Sequence, residues 1–334
     1  MGDRPRRPYL RAFVRRLRET RGQTTVEWLV AMVAVLVLAS GLVVALPGTA
    51  GAIVDRFGCL VGKAVGRGCE TTSGSGSAGV HAHETFGDGP QILHVGEGSD
   101  WVPQGLGYDP ATDQLLTTYY SSPDGDPDRD AGILLSIQDR GTGNEVLTAL
   151  LAGPDHGGGV AIDGDHVWVT SSDGYVYLYS MADINAADGA TVQPQTRFPV
   201  PASAYLTVHD GRLYVGSFDE DDPGSVYSVP LGGDGEPSGP PVFEATAPPR
   251  SQGLAVTDDG LVFSTSWGRE NPSELISISN SGEVRHLTAP NMSEGIVIVN
   301  GQLYTVYESG ATPYQYDGNH PSHNITITPL NAIR

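Results

Sequence analysis

The chain has 334 residues, with 39 acidic and 19 basic side chains and a formal net charge of −20. Eight arginines lie within residues 1–22, so the rest of the chain carries 37 acidic against 11 basic side chains. Such an acidic domain repels polyanions, which argues against nucleic acid or an anionic membrane surface as its partner.

An apolar run of about 21 residues follows the arginines, from Val26 to Leu46, and contains one charge, Glu27. The run is long enough to cross a bilayer and longer than the apolar region of most secretory signals. The arginines on its N-terminal side predict a cytoplasmic N-terminus and an exported C-terminal part. A carboxylate costs about 2.5–3.5 kcal/mol at a bilayer centre, so we expect Glu27 to be functional.

The order Arg21-Gly22-Gln23-Thr24-Thr25-Val26-Glu27, followed by the apolar run, resembles the class III signal of Flp-type, tight-adherence type IV pilins. The resemblance covers residues 21–52, about a tenth of the chain. It implies cleavage by a prepilin peptidase between Gly22 and Gln23. Glu27 would then be the fifth residue of the product and neutralise the N-terminal amine of a neighbouring pilin subunit. Unlike small pilins, this chain carries a large additional domain.

Two other interpretations of the N-terminal region remain. The first is a plain membrane anchor, in which Glu27 reaches the lipid headgroups. The second is a cleaved secretory signal, because Ala50-Gly51-Ala52 has the small-residue pattern of a cleavage site. All three interpretations export the C-terminal part of the chain, so we expect a single-pass membrane protein with an extracellular domain or, alternatively, a secreted protein.

Cys59 and Cys69 are the two cysteines of the chain. In an oxidising compartment they favour an intramolecular disulfide, and unlinked thiols or an intermolecular bridge are the alternatives. A Gly/Ser-rich linker follows at 71–79. The predicted organisation is a basic leader at 1–22, a transmembrane helix at 23–52, a Cys-containing segment with its linker at 53–84, and a domain at 85–334.

The C-terminal domain contains five copies of one pattern, spaced by 42 to 54 residues. Each copy has an apolar strand, a tight turn such as Asp210-Gly211 or Asn300-Gly301, and a second strand. Third strands follow from residues 132, 174, 224, 273 and 324, and four of the copies have a fourth strand. The first strands begin at Gln104, Gly158, Ala204, Gln252 and Glu294.

The fifth copy lacks a fourth strand, whereas the strand-like segment 91–95 (QILHV) precedes the first copy and belongs to none. Pairing the two would close a ring and leave no sheet edge open. The sequence therefore predicts an all-β, five-bladed β-propeller over residues 85–334, with six blades as the alternative.

In a propeller, the first strand of each blade lines the central channel, so Gln104, Gln252 and Glu294 are predicted to converge on its axis. The glycine that follows each of them lets backbones approach closely. Polar groups with aromatic walls suggest a ligand pocket, and water-binding channel filler is the alternative. The ligand-binding candidates are Gln104, His156, Tyr205, Gln252, Trp267, Glu294 and Tyr307.

The segments Ser251-Gln252-Gly253-Leu254 and Ser293-Glu294-Gly295-Ile296 resemble two segments of five-bladed glutamine cyclotransferases. The Glu-Gly pair is also similar to that of calcium-binding, six-bladed lactonases. The resemblance covers about two blades and implies that, in an enzyme, Glu294 acts as general acid and base. The sequence shows no carboxylate paired with Glu294.

Asp124, Asp126, Asp128 and Asp130 alternate in a loop of the first blade, and the loop at 219–222 is similar. Alternating oxygens suit Ca²⁺, but the loop lacks the glycine position and bidentate glutamate of an EF-hand. Solvated loops are favoured; no cofactor is predicted, and a Ca²⁺ site is the alternative.

The expected function is display of the propeller at the cell surface, for adhesion or for binding an extracellular ligand. An anchored cyclotransferase- or lactonase-like enzyme using Glu294 is the alternative. The expected partners are membrane lipid, prepilin peptidase, pilin subunits and the ligand.

Overall fold

The computed structural model describes residues 86–121, 132–315 and 320–334. Five blades of four antiparallel strands form a ring in this part of the chain, and a short parallel strand extends the first blade to a five-stranded sheet; this confirms the five-bladed, all-β prediction. No helix among these residues has both the length and the apolar character needed to span a membrane. Several predictions lie outside the described residues, namely those on Gly22, Gln23, Glu27, Cys59, Cys69, Asp124, Asp126, Asp128, Asp130 and the helix at 23–52.

The strands follow one another in chain order, with β1 (Gly87–Gln91) set apart from the first blade. Blade 1 contains β2 (Trp101–Asp109), β3 (Gln114–Ser121), β4 (Ile133–Asp139) and β5 (Glu145–Leu151). Blade 2 contains β6 (Val160–Asp163), β7 (His166–Thr170), β8 (Tyr175–Ser180) and β10 (Thr196–Pro199); before β10 come the helix α1 (Met181–Ala187) and the short β9 (Thr191–Val192), which pairs with β5.

Blade 3 contains β11 (Tyr205–His209), β12 (Arg212–Gly216), β13 (Gly224–Pro230) and β14 (Val242–Ala247). Blade 4 contains β15 (Ser251–Thr257), β16 (Gly260–Thr265), β17 (Ser273–Ser279) and β18 (Val284–Ala289). Blade 5 contains β19 (Ser293–Val299), β20 (Gln302–Tyr307), β21 (Asn324–Pro329) and β1, with 3₁₀ turns at Glu308–Gly310 and Leu330–Ala332.

The innermost strands β2, β6, β11, β15 and β19 each contact the next, and β19 contacts β2, so the ring is closed. Apolar side chains fill the space between adjacent blades, as alternation along each strand requires. Each of the five blade interfaces in the described chain has its own buried cluster, represented in turn by Leu135 with Val167, Trp168 with Leu213, Tyr205 with Phe263, Leu275 with Leu303, and Tyr304 with Leu115.

Glycine is required where the innermost strands meet. A Cβ atom at Gly295 would lie 2.7 Å from the carbonyl oxygen of Gln104, in the backbone of the neighbouring blade. The third blade has Tyr205 at the corresponding position. Its ring occupies the space beside Gly216, its cross-strand partner, where any side chain would overlap it. Tyr205 is therefore buried in the core.

The strand that closes the ring is not where the sequence placed it. β1 covers 87–91 and pairs antiparallel with β21, so that only Gln91 belongs to the predicted segment 91–95. The chain leaves the strand at Ile92, whose amide donates to the carbonyl oxygen of His323 at 2.8 Å and whose side chain is buried. His94 then adopts a left-handed conformation with φ 58°, which ends extended backbone.

Candidate functional site

A cavity of about 430 Å³ opens where the N-terminal ends of the innermost strands meet. Every blade contributes to its lining the residue at which the repeat pattern begins. Those residues are Gln104, Gly158, Ala204, Gln252 and Glu294. The other lining residues are His156, Ser172, Ser203, Ser217 and Phe218.

The cavity has two unlike sides. Blades 2 and 3 contribute Gly158 and Ala204, whose small size leaves room, whereas blades 1, 4 and 5 contribute two amides and a carboxyl group. A Cβ atom at Gly158 would overlap the backbone of Ala204, so this position must be glycine for blades 2 and 3 to meet. The packing of the blades thus creates open space in front of a polar wall.

Glu294 is the most deeply buried charged residue of this wall, with 3 % of its surface exposed. Its Oε1 atom makes no hydrogen bond to any described residue. Burial, together with the nearby charge of Glu308, raises the pKa of Glu294 well above its usual value. A carboxyl group whose burial favours the protonated form, and which has an unsatisfied oxygen, therefore borders the cavity; a hydrogen-bonding ligand would complete this arrangement.

Glu308 lies close enough to Glu294 for its charge to raise the pKa of Glu294, and this second carboxyl group was not identified from the sequence. Glu308 lies directly after β20 and accepts a hydrogen bond from Nε2 of Gln104. Part of Glu308 is exposed, but protein atoms surround its carboxyl group. The burial of the carboxyl group determines its pKa. Burial raises the pKa of Glu308 to about 7, while hydrogen bonding by Gln104 and Tyr120 and the positive charge of Arg269 lower it.

The β19–β20 hairpin explains how the two carboxyl groups meet. The tight turn at Asn300-Gly301 sets Val299 opposite Gln302, and an irregularity farther along sets Ser293 opposite Tyr307. The amide of Glu308 then donates to the carbonyl oxygen of Met292 at 3.0 Å. Counting outward from the turn would have brought Glu308 to the same end of the blade as Glu294. Its burial depends on blade 1 and has no signal in the sequence.

Aromatic side chains surround the carboxyl pair. The hydroxyl groups of Tyr120 and Tyr314 lie 2.8 Å apart, and the ring of His156 stacks on Tyr120 with centroids 4.7 Å apart. Burial lowers the pKa of His156, and the charge of Asp155 only partly offsets this, so the imidazole is neutral near pH 7. Its ring nitrogens form no hydrogen bond with other described residues and can serve a ligand as donor and acceptor.

The predicted aromatic walls are only partly correct. Tyr205 and Tyr307 are fully buried in the core, and the hydroxyl of Tyr307 bonds Thr326 at 2.7 Å, so neither ring faces a ligand. The alternation of residues along a strand does not show whether an aromatic side chain faces the channel mouth or packs between two blades. Phe218, which the sequence did not single out, does line the cavity and is 43 % exposed.

Trp267 is exposed but does not line the cavity. The guanidinium carbon of Arg250 lies 4.3 Å from the centre of its ring, and its indole nitrogen donates to Glu220. These contacts hold one face of the indole against the protein and leave the residue at the surface beside blade 4.

In the acidic loop at 219–222, backbone amides of the loop itself donate hydrogen bonds to a carboxylate. Oδ1 of Asp219 accepts from the amides of Asp221 and Asp222, at 3.0 and 2.8 Å, and these hydrogen bonds lower the pKa of Asp219. This is the geometry of a solvated turn.

One group of metal-type ligands occurs among the described residues, at the opposite ends of the innermost strands. Nε2 of His209 lies 3.6 Å from Asp210 and 3.7 Å from Asp258. Both carboxylates are almost fully exposed, so an exposed ion-pair cluster accounts for them without a metal.

No family model and no curated protein matches the sequence. Solved structures with similar folds include glutaminyl cyclase of Myxococcus xanthus, at 11 % identity, TM-score 0.44, and coverage of 72 % of this chain and 96 % of that one. A nidogen/laminin complex matches at 14 % identity and TM-score 0.41, covering 66 % and 84 %. BamB from Moraxella catarrhalis matches at 10 % identity and TM-score 0.32, covering 68 % and 74 %. These similarities concern the fold and assign neither a family nor a function to the chain.

Proposed function

We propose that this protein is a cell-surface binding protein whose channel mouth holds a small polar ligand against Glu294. One observation carries the proposal: a buried carboxyl oxygen of Glu294 lacks a hydrogen-bond partner among the described residues beside an open cavity. A buried polar atom without a partner costs about 1–3 kcal/mol. A ligand N–H or O–H group that bonds Oε1 recovers that free energy and gives the site its affinity.

The dimensions of the cavity favour a small molecule. Its volume of about 430 Å³ lies within the range of about 300–1,000 Å³ that small-molecule pockets occupy. The amide of Gln252, the imidazole of His156 and the carboxyl of Glu294 approach it from different blades. Polar groups in such an arrangement fix the orientation of a ligand that carries more than one hydrogen-bonding group.

Surface display is supported by the sequence alone. The arginine-rich leader, the apolar run and the position of Glu27 favour a pilin-like anchor, with membrane lipid, prepilin peptidase and pilin subunits as partners. The mature N-terminus tests this proposal by mass spectrometry of protein purified from the native host. Gln23 is expected; an intact N-terminus would indicate a plain anchor, and cleavage after Ala52 a secreted protein.

A second candidate function, proton-transfer catalysis, is favoured by the pairing of Glu294 with Glu308. Two buried carboxyl groups, of which Glu308 has a pKa of about 7, can give and take a proton near neutral pH. The cyclotransferase-like segments suggest cyclisation of an N-terminal glutamine. The amine would attack the side-chain amide carbon, ammonia would leave, and Glu294 would carry the proton from the attacking to the leaving nitrogen.

Two variants test both functions. Glu294→Leu has a side chain of similar size that can neither accept a hydrogen bond from a ligand nor exchange a proton, and Ala204→Leu fills the open side of the cavity. Screening a library of small polar molecules by ligand-observed NMR should give binders that both variants lose. Glutamine-initiated peptides would show ammonia loss by mass spectrometry only if the protein is a cyclotransferase. Equal ligand binding and equal turnover by wild type and Glu294→Leu would remove Glu294 from either role.

A further inference from the structure

Among the described residues, the lining of the channel-mouth cavity contains no lysine or arginine. The one titratable base in this described lining is His156, and burial lowers the pKa of that imidazole. An anionic ligand would therefore meet no opposite charge among these lining residues and would lie against Glu294. Electrostatic complementarity disfavours an anion at this site.

The charges behind the cavity wall are balanced in the absence of a ligand. Arg269 acts on the carboxylate of Glu308 and lies 4.9 Å from the ring centre of Tyr314. Tyr120 and Tyr314 are neutral, because burial raises the pKa of each phenol, that of Tyr314 to about 12. Glu294 is neutral while it holds its proton. Among the described residues around the carboxyl pair, one positive and one negative charge remain, and Asp155 adds a negative charge beside His156. A buried site tolerates charge only when it is balanced, as it is around the carboxyl pair.

We propose that the site, if it is the ligand-binding pocket inferred above, binds an amine cation and releases the proton of Glu294 in exchange. An ammonium N–H donates to Oε1 of Glu294, which has no other partner among the described residues. The carboxyl proton leaves to bulk water. One positive charge enters as another departs, so the charge of the buried cluster is unchanged.

Two other groups of the lining suit an ammonium ion. The exposed ring of Phe218 also lines the cavity, and a cation over an aromatic face is stabilised by about 0.5–1 kcal/mol or more. The side-chain carbonyl of Gln252 can accept a second N–H. A neutral amide could donate to Glu294 as well, but it brings no charge and has no reason to displace the proton. Proton release thus distinguishes an amine from a neutral ligand.

Three probes of equal heavy-atom count test the proposal: propylamine, acetamide and acetate. Binding to the full-length protein is measured by ligand-observed NMR at pH 7.5 and constant ionic strength. Proton release is measured as the acidification of a weakly buffered sample on addition of neutralised amine. The variants are Glu294→Gln and Ala204→Leu. Glu236→Gln is the control, since it removes one exposed negative charge away from the cavity and corrects for attraction of cations to the acidic surface.

We expect propylamine to bind with release of about one proton per bound molecule. Its affinity should fall about tenfold or more in Glu294→Gln, should be lost in Ala204→Leu, and should be retained in Glu236→Gln. Glu294-dependent binding of acetamide or acetate in preference to propylamine would overturn the amine assignment while leaving the proposed pocket intact. Binding of propylamine without proton release would overturn the exchange. If none of the probes binds in a Glu294-dependent way, the amine assignment and the pocket both fail.

Discussion

The side-chain amide of Gln104 donates a hydrogen bond to the carboxyl group of Glu308, which joins the first blade to the last. The same Glu308 lies close enough to Glu294 for its charge to raise the pKa of that residue. A single side chain therefore takes part both in the contact between the terminal blades and in the protonation of the candidate site.

The stability of the protein should depend on pH through this carboxyl pair. Folding raises the pKa of Glu308 from 4.5 to about 7, so between these values the folded state holds more protons than the unfolded chain. The stabilisation is complete below pH 4.5 and is lost as the pH rises through about 7. The free energy of unfolding should fall over this range by an amount of the order of 1 kcal/mol or more.

Urea denaturation at several pH values from 5 to 8.5 measures this effect. Because other groups also titrate, the informative quantity is the difference between wild type and the Glu294→Gln and Glu308→Gln variants. In both variants the free energy of unfolding should decline less with rising pH than in wild type. The stability of each variant relative to wild type should therefore be higher at pH 8 than at pH 5.5. Parallel curves for wild type and variants would contradict the coupling.

Replacing Gln104 by leucine should destabilise the protein. The substitution removes the hydrogen-bond donor to Glu308 and leaves a buried acceptor unsatisfied, at a cost of about 1–3 kcal/mol. Gln302→Leu, on an exposed position of β20, is the matched control and should change stability by less than about 0.5 kcal/mol. Equal effects of the two substitutions in urea denaturation would show that the bond to Glu308 contributes nothing.

Gly295→Ala should weaken the contact between blades 5 and 1. The added Cβ atom would lie 2.7 Å from the carbonyl oxygen of Gln104, which belongs to backbone and cannot rotate away. Overpacking of this kind costs about 1–3 kcal/mol. Gly233→Ala places the same methyl group in open space and serves as the control. A thermal melt of Gly295→Ala that overlays that of Gly233→Ala would refute the tight interblade contact.

Gly89→Ala should loosen the strand that closes the ring. A Cβ atom at Gly89 would lie 2.7 Å from the carbonyl oxygen of Ile325 in β21, whereas one at Gly87 would lie 3.6 Å from that of Ile327. We expect faster hydrogen exchange of the β1 and β21 amides in Gly89→Ala and little change in Gly87→Ala. Unchanged exchange in both variants would mean that β1 accommodates the clash by a small shift.

The repeat pattern predicted most of the fold because turns and alternation are local signals. It placed the strands β5 at 145–151 and β17 at 273–279 correctly. It misplaced the closing strand by four residues, since nothing in QILHV indicates the left-handed conformation of His94. It wrongly placed Tyr205 at the mouth. The Tyr205 ring occupies the space beside Gly216, its partner on the neighbouring strand, and this pairing cannot be predicted from either strand segment alone.

The innermost ring of the candidate site and His156 were identified from the sequence, but neither Glu308 nor Phe218 was. Gln104, Gln252 and Glu294 begin equivalent strands, so the repeat brings them together, and the cavity is lined by all three. Glu308 joins Glu294 through the irregular register of one hairpin, and its burial depends on a neighbouring blade. Such a partnership belongs to tertiary packing, which a pattern within one repeat does not encode.

The pairing of β1 with β21 also determines when the molecule can finish folding. The strand that leaves the ribosome first among the blades forms its hydrogen bonds with the one that leaves last. Blade 5 therefore cannot be completed before residues 324–329 have been synthesised, and closing a loop of this length carries an entropy cost that earlier blades do not. Until those residues arrive, β21 is missing and the edge of β20 is unpaired, so a chain truncated before β21 would leave that edge open to aggregation.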